Sequence, residues 1–310
     1  MPIVRRIAQA LLVILLAFTA TFILMQALPG DGVLARYQNP ELGLTPEQIE
    51  QLRVVYGVDQ PVWSQFLTSV GNYLAGNFGT SLQSGARVAD LIVTALPETL
   101  VLAAAGFTLA VIVAVAIAFL ASFPSMRWLR NAVRSLPPLF VSVPAFWVGI
   151  LLIQVFSFGL GWVRVIGADG LEALILPAIT LSVPISAPLS QVLIQSLDEV
   201  GESPYVAIVR SRGAGEWWVL TRNVAKNALL PTITIAGLLF GELVAGAVVT
   251  EAVFGRAGIG TLTEQAVANR DLPVIQAVVL LAAIGFVVIN LVVDLLYPVI
   301  DPRLRRERTA

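Results

Sequence analysis

The sequence predicts an all-α integral membrane protein with six transmembrane helices and a small folded external cap after the first of them. Three observations carry this reading. Of 310 residues, 57% are hydrophobic and only 13% charged, with a mean hydropathy of +0.85, far from the balance of a soluble domain. Six apolar runs, 7–28, 99–123, 135–158, 174–197, 229–250 and 274–299, each supply the about 20 residues that a helix needs to cross a hydrocarbon core. With the N-terminus inside, thirteen of the nineteen Arg and Lys residues fall in cytoplasmic segments, including Arg5, Arg6, Arg127, Arg130, Arg134 and Arg303. That bias orients membrane helices, and it places both termini in the cytoplasm.

The elements follow in order. Arg5 and Arg6 before the first run could belong to a cleaved signal peptide. An apolar stretch of 22 residues without a small-x-small site before Pro29 is instead read as an uncleaved helix, residues 1–28. Residues 29–93 are too long for a plain connection and form the cap. Thr45 reads as an N-cap with Pro46 in the first turn, and this helix ends at Gly57. A second cap helix, 62–74, presents Trp63, Phe66, Leu67, Val70 and Leu74 on one stripe, suited either to lying on the membrane surface or to receiving substrate.

Residues 94–300 form a five-helix core with a cytoplasmic loop at 198–228, and 301–310 a cytoplasmic tail. Pro137, Pro138 and Pro144 interrupt the third run, and Pro177, Pro184 and Pro188 the fourth. Neighbouring helices can satisfy the carbonyls that proline frees, so both are expected to be kinked but continuous.

Several chemistries are excluded. The chain contains no Cys and no His, hence no disulfide, no Cys/His metal site and no histidine proton relay. A phosphate-binding loop needs a lysine after glycine, and Lys226, the only lysine, sits in Val-Ala-Lys-Asn. The chain cannot be its own ATPase.

The polar island Tyr205-Val-Ala-Ile-Val-Arg-Ser-Arg-Gly213, followed by Glu216 and then Lys226-Asn-Ala-Leu-Leu-Pro231, is what can meet something outside the membrane. It reads as a short helix closed by Gly213, a charged turn, and a helix that enters lipid near Leu229. The pattern resembles the cytoplasmic EAA loop of ABC-importer permeases of the dipeptide and oligopeptide branch. The resemblance extends over essentially the whole chain. It takes in Leu28-Pro29-Gly30-Asp31, Gly76-Asn-Phe-Gly-Thr-Ser81, the 18-residue step from Gly213 to Pro231, Gly246 to Gly260, Asn269 to Gln276, Asn290 to Tyr297 and Asp301-Pro302-Arg303. The chain departs from the pattern at Ala207, Ile208 and Val209, where the family usually has a basic residue, Thr and Ala, and at Trp217 and Glu242, where small residues are common.

The resemblance implies the type I ABC-importer permease fold and a multi-pass place in the cytoplasmic membrane. It implies a non-catalytic subunit that forms a pore for dipeptides or short peptides with a second homologous permease. Two cytoplasmic ATPase subunits would bind ATP and Mg, an extracytoplasmic binding protein would deliver substrate, and this chain would hold no cofactor or metal. Its expected contacts include membrane lipid and no nucleic acid. Tyr205, Val206, Val209, Arg210, Arg212, Gly213 and Glu216 are the implied ATPase-docking residues, with Tyr205 as a packing knob and Arg210 and Arg212 as polar contacts. Ser142, Gln154, Ser182, Gln191, Thr234 and Glu242 are polar groups available to a pore, although interhelical bonding is an equal use for them. A secondary transporter or channel driven by an ion gradient is the alternative, with Glu242 and Asp294 as its candidate acids. They lie at different depths and outside any visible inverted repeat, which makes a poor proton path. An intramembrane protease fails for want of His and of a Ser/Lys pair.

Overall fold

The computed structural model describes residues 2–27, 37, 44–55, 57, 59–122 and 127–300. Its helices are α1 (Pro2–Ala27), α2 (Pro46–Val55), α3 (Val62–Leu74), α4 (Val88–Ala121), α5 (Arg127–Arg134), α6 (Leu136–Ser142), α7 (Ala145–Leu152), α8 (Glu172–Gly201), α9 (Pro204–Ser211), α10 (Glu216–Val219), α11 (Ala225–Phe254), α12 (Ile259–Ala268) and α13 (Leu272–Ile300). Wide π-helical turns at Ile153–Gly159 and Leu220–Val224 extend α7 and join α10 to α11. Among the described residues four helices are long and apolar enough to cross a membrane, or five when a bent pair is counted, and α1 carries a further apolar stretch, Leu11–Leu24.

The chain divides into two compact units, Met1–Thr99 with Arg256–Val287 and Leu100–Gly255 with Val288–Ala310. In the first, Thr45 and Gln48 form a reciprocal capping box. The Thr45 N–H donates to Gln48 Oε1 at 2.8 Å and the Gln48 N–H to Thr45 Oγ1 at 3.3 Å, which satisfies two of the donors that a helix start leaves open. The apolar stripe of α3 splits. Phe66 meets Phe18 and Phe22 of α1, with centroids 6.0 and 5.3 Å away, while Trp63, Leu67 and Leu74 stay exposed.

Farther along the same unit, the carboxylate of Asp271 is buried beneath the loop 76–87. It accepts from the Ser81 hydroxyl and from the N–H groups of Leu82 and Gln83, the latter two at 3.2 and 3.3 Å. Tyr73 donates to the Pro273 carbonyl at 2.9 Å. Burial first, and then the Asp271 carboxylate, push the Tyr73 hydroxyl well above the usual phenol range.

The second unit is built around α8. Gly106 of α4 lies where a Cβ would come within 3.0 Å of Leu181, and Gly149 of α7 where one would come within 3.2 Å of Phe254 and Val253. Small residues at these crossings let the helices approach closely. One apolar cluster joins Leu102, Leu181, Leu189 and Leu243; a second joins Ile117, Leu193, Leu197, Val206, Val219 and Val224.

Proline acts in two ways here. The third run is broken outright rather than kinked, since its halves, Trp128–Ser142 and Ala145–Gly159, meet at 103°. The cause is local: a residue before proline is pushed out of the helical region, and Val143 is extended at φ −104 ψ 122 ahead of Pro144. In α8, Pro177, Pro184 and Pro188 all sit inside one uninterrupted helix of 30 residues. Packing makes the difference, because 61% of its apolar stretch is buried and neighbours hold the helix together. The buried hydroxyls of Ser182, Ser186 and Ser190 donate to the carbonyls of Ile179, Val183 and Ala187 at 2.8–2.9 Å.

The second run also begins earlier than hydropathy indicates. Its helix starts at Val88 and carries Asp90 and Pro97. At 34 residues and about 1.5 Å per residue it is much longer than a bilayer core.

Candidate functional site

The polar island folds as a short helix braced between the ends of two long ones. Ser203 is extended (φ −64, ψ 143) with Pro204 at the first helical position, the arrangement that starts a helix without wasting an N–H. The carbonyl of Ser203 accepts from the Val206 N–H at 3.0 Å. At the other end the Arg212 N–H bonds to the Ile208 carbonyl at 3.3 Å and the Gly213 N–H to the Arg210 carbonyl at 3.0 Å. Gly213 itself is left-handed, at φ +85. A side chain there disfavours that conformation, so the glycine is a backbone requirement.

One face of α9 is anchored. Val206 is fully buried among Leu193, Leu197, Val219 and Val224, and Val209 packs against the same cluster. Burying a valine contributes roughly 1.5–3 kcal/mol. The Tyr205 hydroxyl donates to the Asn223 carbonyl at 3.1 Å and accepts from Asn227 Nδ2 at 2.9 Å. It ties α9 to the start of α11 across the turn.

The charges also brace the loop. Arg210 pairs with Glu216 at 3.2 Å and donates to the Gly201 carbonyl at 3.2 Å. It thus links the end of α8 to the start of α10, bridging the Gly213 turn. Arg134 pairs with Asp198 at 2.8 Å and donates to the Ala121 carbonyl at 3.2 Å, joining the ends of α4, α5 and α8. Each exposed ion pair contributes roughly 0–1 kcal/mol, so their effect is to set geometry. Behind α9 lies a cavity of about 450 Å³ walled by Leu197, Asp198, Gly201, Arg210, Glu216 and Leu220 among others.

Of the residues singled out in the sequence, Val206 and Val209 pack inward, while Arg210 and Glu216 pair with each other across the loop and stay exposed. Tyr205 is half-exposed with its hydroxyl turned inward, and Arg212 and Gly213 stand at the exposed helix end. The outward face of α9 is made of Ala207, Ile208, Ser211 and Arg212. These positions are spaced one turn apart, opposite Val206. Its large exposed apolar group is Ile208, 54% accessible, and α10 adds Trp217 and Trp218 at 59% and 52%.

The polar groups offered to a pore divide in the same way. Ser142 and Thr234 bond back to the Pro138 and Leu230 carbonyls, and Ser182 is buried and bonded within α8. Ser142, Gln154, Gln191 and Glu242 are exposed.

Residues 106–306 match the model of the family described as binding-protein-dependent transport system inner membrane component, and residues 2–103 match that of its N-terminal segment. The chain is 36% identical over 303 residues to the glutathione transport system permease protein GsiC of Escherichia coli (strain K12), covering 98% of each chain. It is 36% identical over 311 residues to a protein of Brucella abortus (strain 2308) provisionally named a peptide transport system permease, again covering 98% of each. Among solved structures, the inward-facing MetNI methionine ABC transporter aligns with a TM-score of 0.55 at 20% identity, over 68% of this chain and 96% of that one. An amino acid ABC transporter with histidines aligns with a TM-score of 0.54 at 16% identity, over 67% and 94%. At these identities the structures speak to the fold alone.

Proposed function

Because this chain belongs to the family of binding-protein-dependent transport system inner membrane components and so is the permease subunit of an ABC importer, with ATP hydrolysis in separate subunits, we propose that it forms half of a pore for dipeptides or short peptides. The other half is a second homologous permease. Two cytoplasmic ATPases, which bind ATP and Mg, drive it from the side of α9, and a binding protein delivers cargo outside. The names of the relatives at 36% identity over 98% of the chain support the peptide class.

The observation that carries the coupling role is the bracing of α9. ATP-driven closure of two soluble subunits must be passed to membrane helices as a rigid-body motion. A helix locked by Val206, Tyr205 and Arg210 to the ends of α8 and α11 transmits such a motion, and a slack loop would absorb it. Ile208, Arg212 and the neighbouring tryptophans form the face that meets the ATPase.

Two experiments test this reading. In proteoliposomes holding the whole complex, uptake of alanyl-alanine should fall about 100-fold when the catalytic glutamate of the partner ATPase is replaced, the usual scale for loss of a general base. Uptake that persists and follows the proton gradient would move the assignment to a secondary transporter. Orientation is tested in intact cells, where the absence of native cysteine gives a clean background. Ser84→Cys, in the external loop, should react with an impermeant thiol reagent, and Ser211→Cys, on α9, should react only after permeabilisation. Labelling of Ser211→Cys in intact cells would overturn the cytoplasmic placement of α9.

A further inference from the structure

Glu242 lies on α11 as the fourteenth of the 22 residues in the apolar run 229–250. It is exposed on this chain and makes no hydrogen bond or ion pair among the described residues. Leu238, one turn away, is 55% exposed, and Val249, two turns on, is 47% exposed, so the carboxylate belongs to an open face. A Cβ added to the neighbouring Gly241 would meet nothing within 4 Å, which leaves room beside it. A carboxylate facing hydrocarbon at this depth is costly, and intramembrane acids face a bundle interior or a water-filled path. Lipid is therefore the wrong cover for this face, and water is the right one.

The sign of the charge matters next. Within the six apolar runs the only acidic or basic residues are Glu242 and Asp294, both acidic, and none of the runs holds an Arg or Lys. A fixed charge in a narrow aqueous path with low-dielectric walls concentrates ions of the opposite sign. Everything this chain contributes at mid-depth thus favours cations and repels anions.

We propose that Glu242 is the charge filter of the translocation path, favouring cargo that carries a protonated amine without excess negative charge and slowing net-anionic cargo. This rests on the reading of the chain as half of a pore, and it narrows the cargo to zwitterionic and cationic peptides. The carboxylate provides a transient counter-charge for the ammonium group as it passes, without holding it in a closed site.

The test reads the charge at Glu242 without needing the cargo. In the complete complex in lipid nanodiscs, with Leu238→Cys as the sole cysteine, modification rates are measured with a cationic and an anionic methanethiosulfonate of similar size, each normalised to its rate with a free thiol. The cationic reagent should react about tenfold faster, the size expected of one unscreened charge about one helical turn away in a partly aqueous path. Adding Glu242→Gln should bring the two rates together. No reaction with either reagent, or a ratio unchanged by Glu242→Gln, would overturn the filter. So would loss of the second permease from the purified Glu242→Gln complex, because the carboxylate would then be an inter-subunit ion pair. A parallel arm compares uptake of trialanine and of the anionic alanyl-alanyl-glutamate, each divided by its occupancy of the binding protein. Glu242→Gln should narrow the preference for trialanine. If neither peptide is transported by the unaltered complex while the thiol arm shows the charge effect, the peptide assignment fails and the filter stands.

Discussion

Replacing Gly213 by Val is expected to leave the permease in the membrane at near-normal abundance while lowering ATPase association, and with it coupled uptake, about tenfold. The glycine stands at φ +85 with nothing within 4 Å of an added Cβ, so no clash is created and the whole effect is backbone strain. A residue with a side chain in the left-handed region costs roughly 1–2 kcal/mol, and 1.4 kcal/mol is a factor of ten. Relief of that strain swings the chain after α9. Ala214 is then drawn from the cluster around Val206, and Glu216 is moved from Arg210. The matched control is Gly161→Val, at φ +63 with equally open space but in the loop between α7 and α8. It imposes the same kind of strain away from α9 and should leave ATPase association unchanged. Co-purification of the ATPase and hydrolysis-coupled uptake are the measurements. Wild-type values for both in Gly213→Val would remove α9 from the coupling role.

What the sequence made legible, and what it hid, divides by the range of the forces involved. The end of α9 at Gly213 and the Thr45 cap are written in residues that act on their own backbone, so pattern alone finds them; the start at Ser203-Pro204 is of the same local kind. Arg210 is the contrary case. Its charge reads as a free docking group, yet Glu216, six positions on, lies within 3.2 Å because Gly213 turns the chain between them, and no periodicity announces that. Helical spacing does separate Val206 from Ile208, but deciding which of the two faces is buried requires the cluster supplied by α4, α8 and α10.

The prolines make the same point within one residue type. Pro144 and Pro184 place the same restriction on the residue before them, and only Pro144 breaks its helix, because α8 is held by packing along most of its length. Hydropathy begins the second run at residue 99, while the helix continues back to Val88 through Asp90 and Glu98, which an aqueous end tolerates. The ten residues of α12, Ile259–Ala268, fall almost wholly between two motifs, the one that ends at Gly260 and the one that begins at Asn269. They are too short and too mixed in polarity to register as a span.

Asp271→Ala is expected to release the loop 76–87, so that hydrogen exchange at the Leu82 and Gln83 amides rises about 100-fold, the equivalent of about 3 kcal/mol. Asp271 is 2% exposed and precedes the first residue of α13, where a negative charge is favoured by the unpaired N–H groups of the helix start. Its two oxygens gather the Ser81 hydroxyl and two loop N–H groups. Alanine leaves the Ser81 hydroxyl and the Leu82 N–H under protein without their acceptor, while the Gln83 N–H keeps only the Ser81 hydroxyl oxygen at 3.2 Å, and each buried unsatisfied donor costs roughly 1–3 kcal/mol. Opening of the loop to water is the cheaper outcome, so the effect should be local and the apolar spans should remain inserted. Asp271→Asn keeps one acceptor oxygen, and the Ser81 hydroxyl can turn to accept from the new amide. Exchange should then rise only about tenfold, roughly half the free-energy loss of the alanine variant. Exchange at Leu82 and Gln83 unchanged by Asp271→Ala would mean that the loop is held by the Thr80–Arg87 bridge and the packing of Phe78 on Tyr73, with the buried carboxylate contributing nothing to its closure.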